Sequence, residues 1–157
     1  NWVFGCDVCQ EVCPYTSAAL PADDPIVRPE RIEHCFPSLE WLLRMSEEEF
    51  RVVYQRRPVL RAKRVGLARN AAVALGNIGD SRHLAVLEET VLAHDQPLVR
   101  SHAAWAMARI DYSASLPVLR TALQHETDPL ARTELQQLLD APPEPVSQSS
   151  AVLPRSR

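Results

Sequence analysis

Helical periodicity sets in at Ser38, where Leu39, Leu42 and Leu43 fall on one face. A second helix starts at Ser46-Glu47-Glu48-Glu49, where a Ser N-cap and a Glu three residues on satisfy free amides reciprocally. It is expected to run to about Arg57, because Pro58 lacks the donor needed to continue it. From about Arg61 to Asp140 the pattern repeats at an offset of 32 residues. Ala71-Ala72 falls on Ala103-Ala104, Ala74 on Ala106 and Ile78 on Ile110, while Leu84, Val86 and Leu87 fall on Leu116, Val118 and Leu119. The next unit begins again, with Pro97-Leu98-x-Arg100 falling on Pro129-Leu130-x-Arg132. Two apolar helical stretches in a unit of this length predict paired antiparallel helices stacked as an α-solenoid. Asp128-Pro129 predicts an N-cap followed by Pro at the first helical position, and Asp95, just ahead of Pro97, could serve the same end.

The small residues Ala71, Ala72, Ala74 and Gly76 let adjacent helices approach closely, and Trp105 among alanines predicts core or inter-repeat packing. The repeats resemble the HEAT-like family over roughly residues 61–140. Ahead of them, residues 21–60 read as a proline-rich connector with linking helices, in which Trp41 and Leu42 are expected to pack against the cysteine-bearing segment. Residues 1–20 hold that segment, and 141–157, rich in Pro and Ser, read as a disordered tail.

Composition changes this picture in two places. Aromatics are scarce, with Ala and Leu abundant, which favours an all-α fold. No apolar run approaches the ~20 residues of a membrane span, and the start Asn1-Trp2-Val3-Phe4 has no secretory character. A start without Met, so close to a dense motif, suggests that sequence lies upstream. Net charge is only -3 and selects no partner. Its distribution does more: from Arg51 to Arg69 the chain carries seven basic residues and no acidic one.

Cys6-x-x-Cys9-x-x-x-Cys13-Pro14 carries the chemistry. Bacterial ferredoxin-type clusters use C-x2-C-x2-C-x3-C-P, whose last Cys ligates the partner cluster in two-cluster versions. The final three cysteines of that run are present, and the first would fall at Val3. The spacing lets a turn point two sulfurs inward, leaves backbone amides to donate to cluster sulfurs, and uses Pro14 to turn the chain away. Zinc would want four local ligands, with only His34 and Cys35 nearby. A disulfide, or thiols without a ligand, are further alternatives. Closely spaced cysteines without a signal peptide favour a reducing compartment. Cys35 reads as an ordinary thiol.

The string Gly5-Cys6-Asp7-Val8-Cys9-Gln10-Glu11-Val12-Cys13-Pro14, followed by helical repeats, resembles the epoxyqueuosine reductase family. Tyr15 stands where that family is expected to carry Trp. The resemblance implies a mainly α chain: the end of a double-cluster ferredoxin-like segment followed by a HEAT-like α-solenoid. It implies a cytoplasmic, monomeric oxidoreductase that reduces epoxyqueuosine to queuosine in the tRNA anticodon loop, using cobalamin, two [4Fe–4S] clusters and an electron donor. Carried over, Cys6 and Cys9 would ligate one cluster and Cys13 the other, with Asp7 beside the cobalamin. The cobalamin domain, acidic proton donor and first cysteine motif of the family are not in this sequence, so the chain alone is expected to be inactive. A ferredoxin-type carrier fused to a protein-binding solenoid is an alternative. A reductive dehalogenase is another, which the 32-residue period disfavours.

On a continuous helix Arg61 and Arg64 would share a face, with Arg69 beside it, and Lys63 belongs to the same basic stretch. The bland reading of this cluster is a solvated surface in an Arg-rich protein, where Arg outnumbers Lys sixteen to one. The resemblance turns it toward tRNA phosphates. His83, His94, His102 and His125 have no carboxylate at catalytic spacing and read as surface or capping residues, and Glu47, Glu48 and Glu49 suit a helix N-terminus.

Overall fold

The computed structural model describes residues 3–17 and 36–146. Two single-turn helices come first: α1 (Val8–Glu11), which holds Cys9, and α2 (Pro14–Ser17), with Cys6 ahead of α1 and Cys13 between the two. Two short helices follow, α3 (Leu39–Arg44) and α4 (Glu47–Tyr54). The repeats are α5 (Lys63–Ile78), α6 (Leu84–Ala93), α7 (Pro97–Ile110), α8 (Tyr112–His125) and α9 (Pro129–Asp140). All regular structure among the described residues is helical, and no helix among them is long and apolar enough to cross a membrane.

Helix α7 is the hub: it packs on α5, α6, α8 and α9, while α3 closes the other side of α5. Its Val99, Ala103, Ala104 and Ala106 have no exposed surface. Small residues make this approach possible. A Cβ on Gly76 would lie 2.8 Å from the Cα of Ala106 and 2.9 Å from Cζ3 of Trp105, so α5 and α7 meet backbone to backbone there. Trp105 thus packs between repeats, with the Arg109 guanidinium 5.2 Å above its ring. Trp41 lies partly buried against the same core that contains Leu42.

The caps largely follow the sequence. Ser46 and Glu49 form the reciprocal box, Asp128 accepts from the amides of Leu130 and Ala131 at 3.0 Å, and Gly79, in the left-handed region at φ 75°, ends α5. Three expectations are corrected. Helix α4 stops at Tyr54 instead of Arg57, because Arg56 takes a positive φ of 59°. Asp95 does not cap α7: Gln96 occupies that position without a side-chain bond, and the Asp95 carboxylate is taken by Arg64. Arg61 does not share a helical face with Arg64. Residues Pro58–Ala62 form a 3-10 turn, and α5 opens at Lys63, whose φ is 59°.

Pro-Leu-x-Arg, the repeat signature, is a clasp. Arg100 Nη1 donates to the His94 carbonyl oxygen at 2.8 Å and Arg132 Nη1 to that of Glu126 at 3.3 Å, six residues back in each case. Each Arg thereby satisfies a carbonyl left free at the end of the preceding helix. After α9 residues 141–146 run without regular structure along the repeats: Val146 sits against Gly79, and Pro143 lines a groove with His102, Trp105 and Leu138. Residues 18–35, which include Cys35 and the first part of the connector, and residues 147–157 lie outside the described residues.

Candidate functional site

Two left-handed residues shape the chain around Cys6: Gly5 at φ 64° and Asp7 at φ 51°. Glycine adopts this region without cost, and a short polar side chain such as Asp tolerates it. The Asp7 carbonyl then accepts from the amides of Gln10 and Glu11 at 2.8 and 3.0 Å, which starts α1 and places Cys9 on its single turn. The Asp7 carboxylate accepts from Gln10 Nε2 at 3.3 Å. The Cys13 amide closes that turn on the Gln10 carbonyl, and Pro14 opens α2.

Cys6 and Cys9 are exposed, and Cys13 is half-buried. The backbone amides of Thr16 and Tyr15, together with the Thr16 hydroxyl, hold the Cys13 thiol below its ordinary pKa, favouring the thiolate that binds metal. Thiolates with amide donors close by are the chemistry an iron–sulfur cluster requires. The set is not complete in itself: among the described residues no three Cys, His, Asp or Glu side chains come together as a metal group. Three thiols fit the donor type of two [4Fe–4S] clusters while leaving most ligands to other sequence.

This segment is tied to the repeats. Val3 packs against the helical core, and its carbonyl oxygen accepts from Asn70 Nδ2 at 2.7 Å. Asn70 Oδ1 accepts in turn from Arg69 Nε at 3.0 Å.

The four candidate cations are not equivalent. Arg61 and Lys63 are exposed, and Arg69 is half-buried on α5 beside Asn70. Arg64 points inward, its side chain only 9% exposed, bound to Asp95 and the Met45 carbonyl with Glu47 nearby. The Arg64 bond holds the Asp95 carboxyl at a pKa of about 2. Beside it, burial pushes His94 below its ordinary pKa, so it packs as the neutral ring. His83 does have a carboxylate partner: Glu40 Oε1 lies 2.9 Å from its Nδ1, across 43 positions of sequence. His102 and His125 meet carbonyls one turn back on their own helices.

Sequence reasoning missed Glu126. Its side chain is 2% exposed, accepts from Arg100 Nη2 and Nε at 2.6 and 2.8 Å, and also binds the amides of Thr127 and Asp128. The repeated Arg was its one visible signal.

Residues 57–140 match the model of the HEAT repeats, and the chain belongs to that family. The particular relatives are epoxyqueuosine reductases. The one from Bacillus subtilis is 32% identical over 136 residues, 87% of this chain and 35% of its own length. That of Staphylococcus aureus is 33% identical over 111 residues, 70% of this chain and 28% of its own. Among solved structures, an epoxyqueuosine reductase with an epoxyqueuosine-modified tRNA-Tyr stem loop superposes with a TM-score of 0.78 at 32% identity. That match covers 88% of this chain and 38% of that one. The chain therefore spans about a third of the length of the relatives it matches.

Proposed function

We propose that this chain is the C-terminal part of an epoxyqueuosine reductase, in which the cysteine segment completes two [4Fe–4S] clusters and the HEAT repeats support a tRNA anticodon stem loop. One observation supports the reading: the chain superposes over 88% of its length, with a TM-score of 0.78, on an epoxyqueuosine reductase solved with a tRNA stem loop. The whole protein then acts in the cytoplasm as a monomer served by an electron donor, and this segment alone is inactive.

The residues take distinct parts. Cys6 and Cys9 would hold one cluster and Cys13 its neighbour, and Asp7 would lie against the cobalamin. Cobalamin, when bound, supplies the low-valent metal chemistry that removes the epoxide oxygen. Arg61 and Lys63, exposed at the opening of α5, and Arg69 would meet tRNA phosphates, fixing register without reading bases. Arg64 shares that stretch, but its guanidinium is engaged by Asp95, so its contribution to RNA is through the shape of the α5 entrance.

The test is anaerobic expression of the full-length gene product, measured for iron, sulfide and cobalamin content and for reduction of epoxyqueuosine-containing tRNA. A protein that binds no cobalamin and leaves that tRNA unchanged refutes the reading. In the same preparation, Arg61→Ala/Lys63→Ala should weaken tRNA binding and flatten its salt slope by roughly 0.7–0.9 for each phosphate left without a cation. An unchanged slope assigns both residues to plain solvation.

A further inference from the structure

We infer that Asn70 is a positioning residue that sets where the cysteine segment stands on the repeat domain, an inference that rests on the cluster role proposed above for Cys6 and Cys9. The geometry is a relay across 67 positions of sequence: Asn70 Nδ2 donates to the Val3 carbonyl at 2.7 Å. A side-chain amide can flip and present its oxygen instead, which would repel that carbonyl. Arg69 Nε, donating to Asn70 Oδ1 at 3.0 Å, selects the productive orientation.

Val3 itself packs against the helical core, so the anchor combines a directed hydrogen bond with apolar contact. Only Phe4 and Gly5 separate it from Cys6. At no more than ~3.6 Å per residue, the Cys6 Cα is held within roughly 11 Å of the anchored Val3. Gly5 adopts φ 64°, and Cys6 beyond it is exposed. From Asp7 onward the bonds described are local, from Gln10 and Glu11 to Asp7, Cys13 to Gln10 and Thr16 to Cys13. They fix the internal shape of the segment and not its placement. Asn70 supplies a placement restraint, and because it sits on α5 it refers the cysteines to the same helix whose opening carries Arg61 and Lys63.

Asn70→Asp tests this, since it keeps the shape and removes the donor. In the full-length protein loaded anaerobically with iron and sulfide, hydrogen exchange of the amides of Phe4–Cys13 should quicken roughly tenfold, the effect of removing one hydrogen bond. Amides of α7 should keep their protection. The paramagnetic resonance signal or midpoint potential of the reduced clusters should shift, and Arg69→Ala should give a smaller change in the same direction. Unchanged exchange in Phe4–Cys13 overturns the inference, as does equal acceleration throughout α5 and α7, which marks a merely structural asparagine. Asn70→Ser, which keeps a donor, guards against a variant that fails to fold and should lie between wild type and Asn70→Asp. A wild-type protein that takes up no iron refutes the cluster reading, while the exchange measurement still decides whether Asn70 anchors the segment.

Discussion

Arg100→Met should lower the stability of the repeat array by roughly 3–5 kcal/mol, because it leaves the Glu126 carboxylate buried without its cation. Arg100 gives Glu126 two short bonds and closes the His94 carbonyl, so one substitution opens two joints. Urea unfolding of the variant should show the loss, with a thermal midpoint lower by at least about 10 °C. Adding Glu126→Gln should recover much of it, since the damage lies in the stranded charge. A double variant no better than the single would show that the joint depends on packing instead. The effect has a pH signature. Arg100 and the amides of Asp128 and Thr127 hold Glu126 below the usual carboxylate range. A depressed acid contributes stability above the unfolded-state pKa and loses it as pH falls through the folded value. Wild type should therefore weaken on acidification below the ordinary glutamate range, and Arg100→Met should weaken less over that interval.

Gly76→Val should cost at least as much as the upper end of the ~1–3 kcal/mol typical of overpacking. The group it would strike at 2.8 Å is the Ala106 backbone, which cannot swing aside as a side-chain tip would. Relief requires α5 and α7 to part, and α7 is the helix on which α5, α6, α8 and α9 all pack. Gly66 on the same helix is the control. Its nearest neighbour is the Ala62 Cβ at 3.8 Å, so Gly66→Ala should stabilise by about 0.5–1 kcal/mol through helix propensity alone. Denaturant melts of the two variants should move in opposite directions. A destabilised Gly66→Ala, or a neutral Gly76→Val, would show that close approach is not what Gly76 provides.

Local signals in the sequence survive folding well. The Ser46 box, the Asp128 cap, the 32-residue period and the packing role of Trp105 depend on residues a turn or one repeat apart, and each is present. What escapes involves partners far away, or a residue with two jobs. Asp95 has the right chemistry for a cap, but an arginine 31 positions upstream takes it. Pro58 signals in sequence only that α4 must end, yet it also starts the 3-10 turn that separates Arg61 from Arg64. In the candidate site, spacing singles out Cys6, Cys9 and Cys13. It gives no hint of the bond from Asn70 to Val3, which joins a side-chain amide to a backbone carbonyl with no motif around either.

The arginine joints also bear on how the array comes apart. Arg64 reaches from α5 to Asp95 in the loop after α6, and Arg100 from α7 to Glu126 in the loop after α8. In a linear stack, each unit's own stability and its coupling to the next are separate quantities, and the ratio of the two sets how many units melt as one. Here each guanidinium grips an acid at the far end of its own helix pair, so the ionic contacts add to the stability of the unit, while coupling between units rests on the close apolar approach of α5 and α7. Acid strong enough to protonate those carboxylates would thus weaken each helix pair while leaving the contact between pairs in place, so the solenoid would lose stability on acidification and still melt as one body.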